Sequence, residues 1–108
     1  MQIQVNAADV DNSDAIELRV EEEVNHALNR FTDRITRVEV HLRNLNGPKH
    51  GIDKRCKMEA RIAGLDPLVV EQDADDLYEA IHRAAKKLER AVKHQIERHE
   101  EHKQRTSA

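Results

Sequence analysis

The sequence predicts an α+β domain of order β-α-β-β-β-α: a four-stranded sheet carrying both helices on one face. Three observations predict it. Apolar residues alternate with polar ones through 38–43 and 55–62, the period of half-buried strands. They recur at helical spacing through 14–31 and 77–96. The three glycines and two prolines all stand between these segments, where turns are needed.

Each element follows from its residues. In QIQVN at 2–6, Ile3 and Val5 share one side of a first strand. The run DVDNSDAIE then reads as a helix start, with Asp14 capping the first turn and Glu17 bonding back three residues later. Val20, Val24, Ala27, Leu28 and Phe31 give that helix, over roughly 14–31, one apolar face. Its early Glu21, Glu22 and Glu23 suit the positive end of the helix.

In ITRVEVHLRNLN, Val38, Val40 and Leu42 alternate with Arg37, Glu39, His41 and Arg43. A turn at 46–51 follows, and then Cys56, Met58, Ala60 and Ile62 alternate with Arg55, Lys57, Glu59 and Arg61. Two antiparallel strands with one apolar and one charged face satisfy both patterns. Gly64 to Pro67 makes the next turn, and Leu68–Val70 starts a short fourth strand. The last helix starts near Asp75 or Asp76, with a buried stripe of Leu77, Ile81, Ala84, Leu88, Ala91 or Val92, and Ile96. The stripe ends at about His99, so the reading is one domain over 1–98 and a polar, disordered tail over 99–108.

A chain of 108 residues holds one small domain. With 36% charged residues, one Phe and one Tyr, its core must be built from aliphatic side chains. The single Cys56 excludes an internal disulfide framework. Neither a signal peptide nor a membrane span is recognisable, so the expected location is the cytoplasm.

The net charge of −3 hides an uneven distribution. Residues 1–33 hold eight acidic and two basic groups, residues 34–64 eight basic and three acidic, and residues 77–108 eight basic and five acidic. Segregation of this kind creates a basic face on a mildly acidic protein.

Enzymatic chemistry finds no support. Cys56 lies on the inward register of a strand and reads as a small core hydrophobe. His99 and His102 stand at i,i+3 without a third ligand in register, and HEEH is not the zinc-protease motif. The acidic run over 66–76 lacks the glycine and alternating oxygens of a calcium loop. No glycine-rich phosphate loop exists. The reading is a non-enzyme with no metal, cofactor or small-molecule substrate. Tyr78 is placed at the core edge, one residue off the apolar stripe.

Nucleic-acid binding fits better. Arg83, Lys86, Arg90 and Lys93 recur at intervals of three and four, forming a line about 15 Å long at 1.5 Å per residue. Lys87 and His94 lie beside it. Arg55, Lys57 and Arg61 add charge on the opposite sheet face, so one ligand meets both patches only by wrapping an edge. No pair of exposed aromatics is available to stack bases, so phosphates and shape are read rather than sequence. The competing view is a solvated helix whose Arg90 and Lys93 pair with Glu89 and Glu97.

The opening MQIQVNAADV, the stretch RFTDRITRVEVHL at 30–42 and DLYEAIHRAAKKLERAVKHQ at 76–95 together bracket nearly the whole chain. In these the protein resembles the short ribosome hibernation-promoting factor and ribosome-associated inhibitor A family, also called sigma-54 modulation proteins. The last segment is the most specific, with Asp76, Tyr78, Ala80, Ile81, Lys87 and Leu88 ahead of Arg90, Lys93 and His94. The resemblance implies a fold similar to a double-stranded RNA-binding domain. It also implies binding to the small ribosomal subunit and silencing of translation in stationary phase or starvation. By position it implies that Lys86, Lys87, Arg90 and Lys93 face ribosomal RNA, with Arg37, Arg55 and Lys57 on the strands in a secondary role.

Two positions depart from the family pattern: Glu21–Glu23 where the first helix usually offers lysines, and His82 where an acidic residue is usual. Longer relatives carry a second, dimerising domain, so ribosome dimerisation by this chain would require another factor. The alternative function is a protein-binding regulator that uses the acidic first helix.

Overall fold

The computed structural model describes residues 1–8, 10, 13–45 and 54–106, with side chains through residue 103. Its elements are β1 (Gln2–Ala7), α1 (Asp14–Leu28), β2 (Ile35–Asn44), β3 (Lys54–Ile62), β4 (Leu68–Ala74) and α2 (Leu77–Thr106). This is the predicted order. The strands lie β1-β2-β3-β4, with β1 parallel to β2 and the other pairs antiparallel. A parallel pair needs a crossover, and α1 is that crossover. The predicted turn at 46–51 lies outside the described residues.

The alternation of β2 and β3 does what a half-buried sheet requires. Val38, Val40 and Leu42 stand opposite Ala60, Met58 and Cys56, and all six are fully buried. One irregularity interrupts the pattern. Ile35 and Val38 both face the core although they are three residues apart, because a bulge between Ile35 and Arg37 shifts the register. The displaced Thr36 hydroxyl donates to the Arg61 carbonyl at 3.1 Å, which pins the bulge to β3. The turn from β3 to β4 closes with the Leu65 amide donating to Ile62 O at 3.1 Å. Gly64 takes the third position with φ 79°, which a type II turn demands and which favours glycine.

Both helices cover the apolar face. Ile16, Val20, Val24, Ala27 and Leu28 of α1 join Ala80, Ile81, Ala84, Ala85, Leu88, Val92 and Ile96 of α2 in a single core cluster with the sheet. Among the described residues no polar or charged residue is buried, so the core carries no unpaid desolvation. The helices run side by side and parallel, since Arg19 sits over the Tyr78 ring at 5.0 Å and Glu23 reaches His82 one turn further on. Tyr78, read as a core-edge residue, lies in that seam and is 36% exposed.

Three details differ from the reading. The cap of α1 is Ser13, whose hydroxyl accepts from the Ile16 amide at 3.2 Å, not Asp14. With Ser13 as cap the third helical position is Ile16, so no capping box with Glu17 can form. The α-helix ends at Leu28 and continues as a single 3-10 turn over Asn29–Phe31, leaving Phe31 half-buried. Strand β4, read as a short strand starting over Leu68–Val70, is seven residues long and runs on to Ala74, because Gln72 and Ala74 keep pairing with Cys56 and Lys54.

At 30 residues α2 is about 45 Å long and sets the long dimension of the molecule, 58 Å. Its last buried residue is Ile96, and the backbone stays helical to Thr106. Beyond Ile96, Glu100 ties the helix to the start of β2 through Arg34 at 3.3 Å.

Candidate nucleic-acid interface

The candidate interface lies on the solvent side of α2. Once Ile81, Ala84, Leu88 and Val92 are committed to the core, 3.6 residues per turn carries positions 83, 86, 90 and 93 away from it. Lys86, Arg90 and Lys93 are exposed and make no hydrogen bond or ion pair with any described residue. Neither Glu89 nor Glu97 reaches Arg90 or Lys93 within ion-pair distance, so the expected alternative of self-paired charges is not realised in the described residues.

The other predicted residues are engaged to differing degrees. Arg83 donates from Nε to Glu79 Oε1 at 2.7 Å, one turn earlier on the same helix. Lys87 donates from Nζ to the backbone carbonyl of Glu71 at 2.9 Å, covering part of the open edge of β4. Arg37 is paired to Glu39 on its own strand, and its Nε is buried without a partner. Arg55 makes two hydrogen bonds to Asp73, Nε to Oδ1 at 2.8 Å and Nη2 to Oδ2 at 3.1 Å, with Glu71 at 3.6 Å. Those bonds raise the Arg55 guanidinium above its ordinary pKa and hold the Asp73 carboxyl below the usual carboxylate range. Lys57 is exposed and unpaired.

Three of the eight residues thus form one free line on α2, and Lys57 is free on the opposite face. Lys87 stands at the β4 edge between those two surfaces, near enough to help hold Asp73 ionised. An array of fixed cations at helical spacing, with no aromatic platform beside it, neutralises phosphates without reading bases.

Two features escaped the sequence. Arg43 is exposed at the end of β2 and makes no ion pair with any described residue; the strand alternation placed it outward, but only the register shows what it faces. His82 Nδ1 and Glu23 Oε2 lie 2.6 Å apart, so the two departures from the family pattern meet each other across the helix seam. That pairing depends on the parallel helix packing and has no local signal.

Among the described residues no group of three His, Cys, Asp or Glu side chains is placed to hold a metal ion. No helix among the described residues is long and apolar enough to cross a membrane. Cys56 is fully buried, and burial pushes its thiol up to about 12.

Fold and surface together define a small α+β domain with a cationic stripe on the solvent side of its long helix. The chain belongs to the Sigma 54 modulation protein / S30EA ribosomal protein family, whose model matches residues 3–100. Its fold is similar to the N-terminal domain of Protein Y from Thermus thermophilus, with a TM-score of 0.72 and 30% identity over 87% of this chain and 98% of that one. It is also similar in fold to a ribosomal subunit interface protein from Coxiella burnetii, with a TM-score of 0.72 and 20% identity over 86% of this chain and 94% of that one. No curated protein sequence matches the chain.

Proposed function

We propose that this protein is a ribosome hibernation factor that binds the small ribosomal subunit through rRNA phosphates and silences translation during starvation or stationary phase in the cytoplasm. The observation that carries the reading is the line Lys86, Arg90 and Lys93, exposed and unpaired on a protein of net charge −3. The helix fixes the spacing of the three cations, and each phosphate they neutralise releases condensed counterions. Membership of the S30EA family supports the ribosome as the partner. Arg83 and Lys87 extend the line, with their present partners exchanged for phosphate on binding. Arg37 and Arg55, held by carboxylates, contribute less. The acidic amino-terminal third keeps the free protein soluble and disfavours indiscriminate nucleic-acid binding.

Sedimentation of the purified protein with small subunits at low and high salt tests the reading. Binding through phosphates falls steeply as salt rises, by somewhat less than one log–log unit per phosphate contacted. Binding that ignores salt contradicts it.

A second reading has its own observation. Leu18 is 56% exposed on the outer side of α1, one turn from Asp14 and Glu22 and beside Glu21. A basic protein with an apolar anchor fits that face, as a protein-binding regulator requires. Leu18→Asn abolishes binding under that reading and leaves subunit binding unchanged under the first.

A further inference from the structure

On the open face of the sheet, β2 and β3 oppose like charges in three rows and a histidine to a lysine in a fourth. Arg37 faces Arg61, Glu39 faces Glu59, His41 faces Lys57, and Arg43 faces Arg55. Like charges directly opposite each other destabilise a sheet. In the first two rows the cost is offset along the strand, because Arg37 donates to Glu39. The last two rows are adjacent and hold three fixed cations and His41, bordered on one side by the Glu39–Glu59 row. Strand β4 sets Asp73 opposite Arg55 and Glu71 opposite Lys57, but both carboxylates lie within ion-pair distance of Arg55 alone. Arg43 and Lys57 are exposed and make no ion pair with any described residue. The nearest carboxylate to His41 is Glu39, at 3.9 Å. His41, Arg43, Arg55, Lys57 and Glu71 line one shallow concavity.

We propose that this concavity is a second phosphate-binding site, in which Arg43 and Lys57 take a phosphodiester of an RNA backbone while Arg55, fixed by Asp73, forms its wall. A phosphate there supplies the close anion that Arg43 and Lys57 lack among the described residues. The placement also joins this site to the helix. Lys87 of α2 donates to the Glu71 carbonyl at the β4 edge, and Glu71 lines the concavity. Cations therefore continue from Arg90 and Lys86 through Lys87, round the edge, to Arg55 and Lys57. One RNA backbone bent over β4 meets both faces, which a folded RNA provides and a straight duplex does not. The RNA source rests on the ribosomal reading; the phosphate chemistry does not.

Two measurements on the full chain test it, using Arg43→Gln with Lys57→Gln. Removing the repulsion leaves the thermal midpoint unchanged or higher, so a loss of binding is not a loss of fold. In the first, inorganic pyrophosphate is titrated while backbone amide resonances are followed. The expected result is a saturable shift of amides 41–43 and 55–57 that survives Gln at Lys86, Arg90 and Lys93 but disappears in the double variant. Silence of those amides, or a response unchanged in the double variant, overturns the site. In the second, the double variant is pelleted with small subunits. Affinity should fall about tenfold at low salt, and the log–log salt slope should flatten by about 1.5 units for two lost contacts. Wild-type affinity and slope in the double variant overturn the RNA assignment while leaving the helix interface standing. If the wild type itself does not pellet, the ribosomal reading fails, and the site is decided by pyrophosphate alone.

Discussion

Arg55 and Asp73 hold each other across β3 and β4 by two hydrogen bonds, Nε to Oδ1 at 2.8 Å and Nη2 to Oδ2 at 3.1 Å. The pair ties the edge strand to its neighbour on the solvent side, while Val70 and Met58 tie it on the core side. The hydrogen bonds from Arg55, then its charge and that of Lys87, lower the Asp73 pKa in the fold against the opposing effect of desolvation. A carboxyl with a lowered folded pKa contributes stability above its unfolded value of about 3.9, and the contribution is lost as pH falls through the folded value. Wild type should therefore be more stable than Asp73→Asn at pH 7 by urea unfolding, with the two converging near pH 2. Both side chains are about one-third exposed, so the difference is small beside that of a core truncation. A gap that persists unchanged at pH 2 contradicts the assignment.

The cap of α1 separates two neighbouring residues. Ser13 accepts the Ile16 amide, so Ser13→Ala should cost about 1 kcal/mol in denaturant unfolding. Asp14 is exposed and interacts only with the helix dipole, so Asp14→Ala should cost about 0.5 kcal/mol or less. The reverse order would place the helix start one residue later.

Cys56 should be inert in the native protein. It is fully buried, and burial raises its thiol to about 12, so almost no thiolate exists at pH 8. An aromatic disulfide reagent at pH 8 should leave it unmodified over the time in which a denatured sample reacts completely. Rapid labelling of the folded protein would show that β3 opens or that its register is wrong.

Element type and order were legible because each strand or helix states its period locally. Val38, Val40 and Leu42 on one side and Cys56, Met58 and Ile62 on the other leave one register that keeps Arg55 and Lys57 out of the core. The free line on α2 was legible for the same reason, since Lys86, Arg90 and Lys93 are whatever the apolar stripe leaves outside. Partners from other elements were not. Nothing near Lys87 announces the Glu71 carbonyl, nothing near His82 announces Glu23, and the opposition of Arg43 to Arg55 needs the strand register. The bulge at Thr36 was hidden because Ile35 breaks a two-residue period that only a shifted register can restore. The cap went to Ser13 because Ser, Asp and Asn side chains cap about equally well, and spacing alone does not choose between neighbours.

The central claim is that Lys86, Arg90 and Lys93 form the RNA-contacting line, and replacing all three with Gln tests it most directly. These side chains are exposed and unpaired, so the thermal midpoint should barely move. In pelleting assays with small subunits across a salt series, affinity should fall by about 3 kcal/mol, at about 1 kcal/mol per contact. The log–log salt slope should flatten by about two units or more. A triple variant that binds small subunits with wild-type affinity and wild-type salt slope would show that α2 is not the surface that meets RNA.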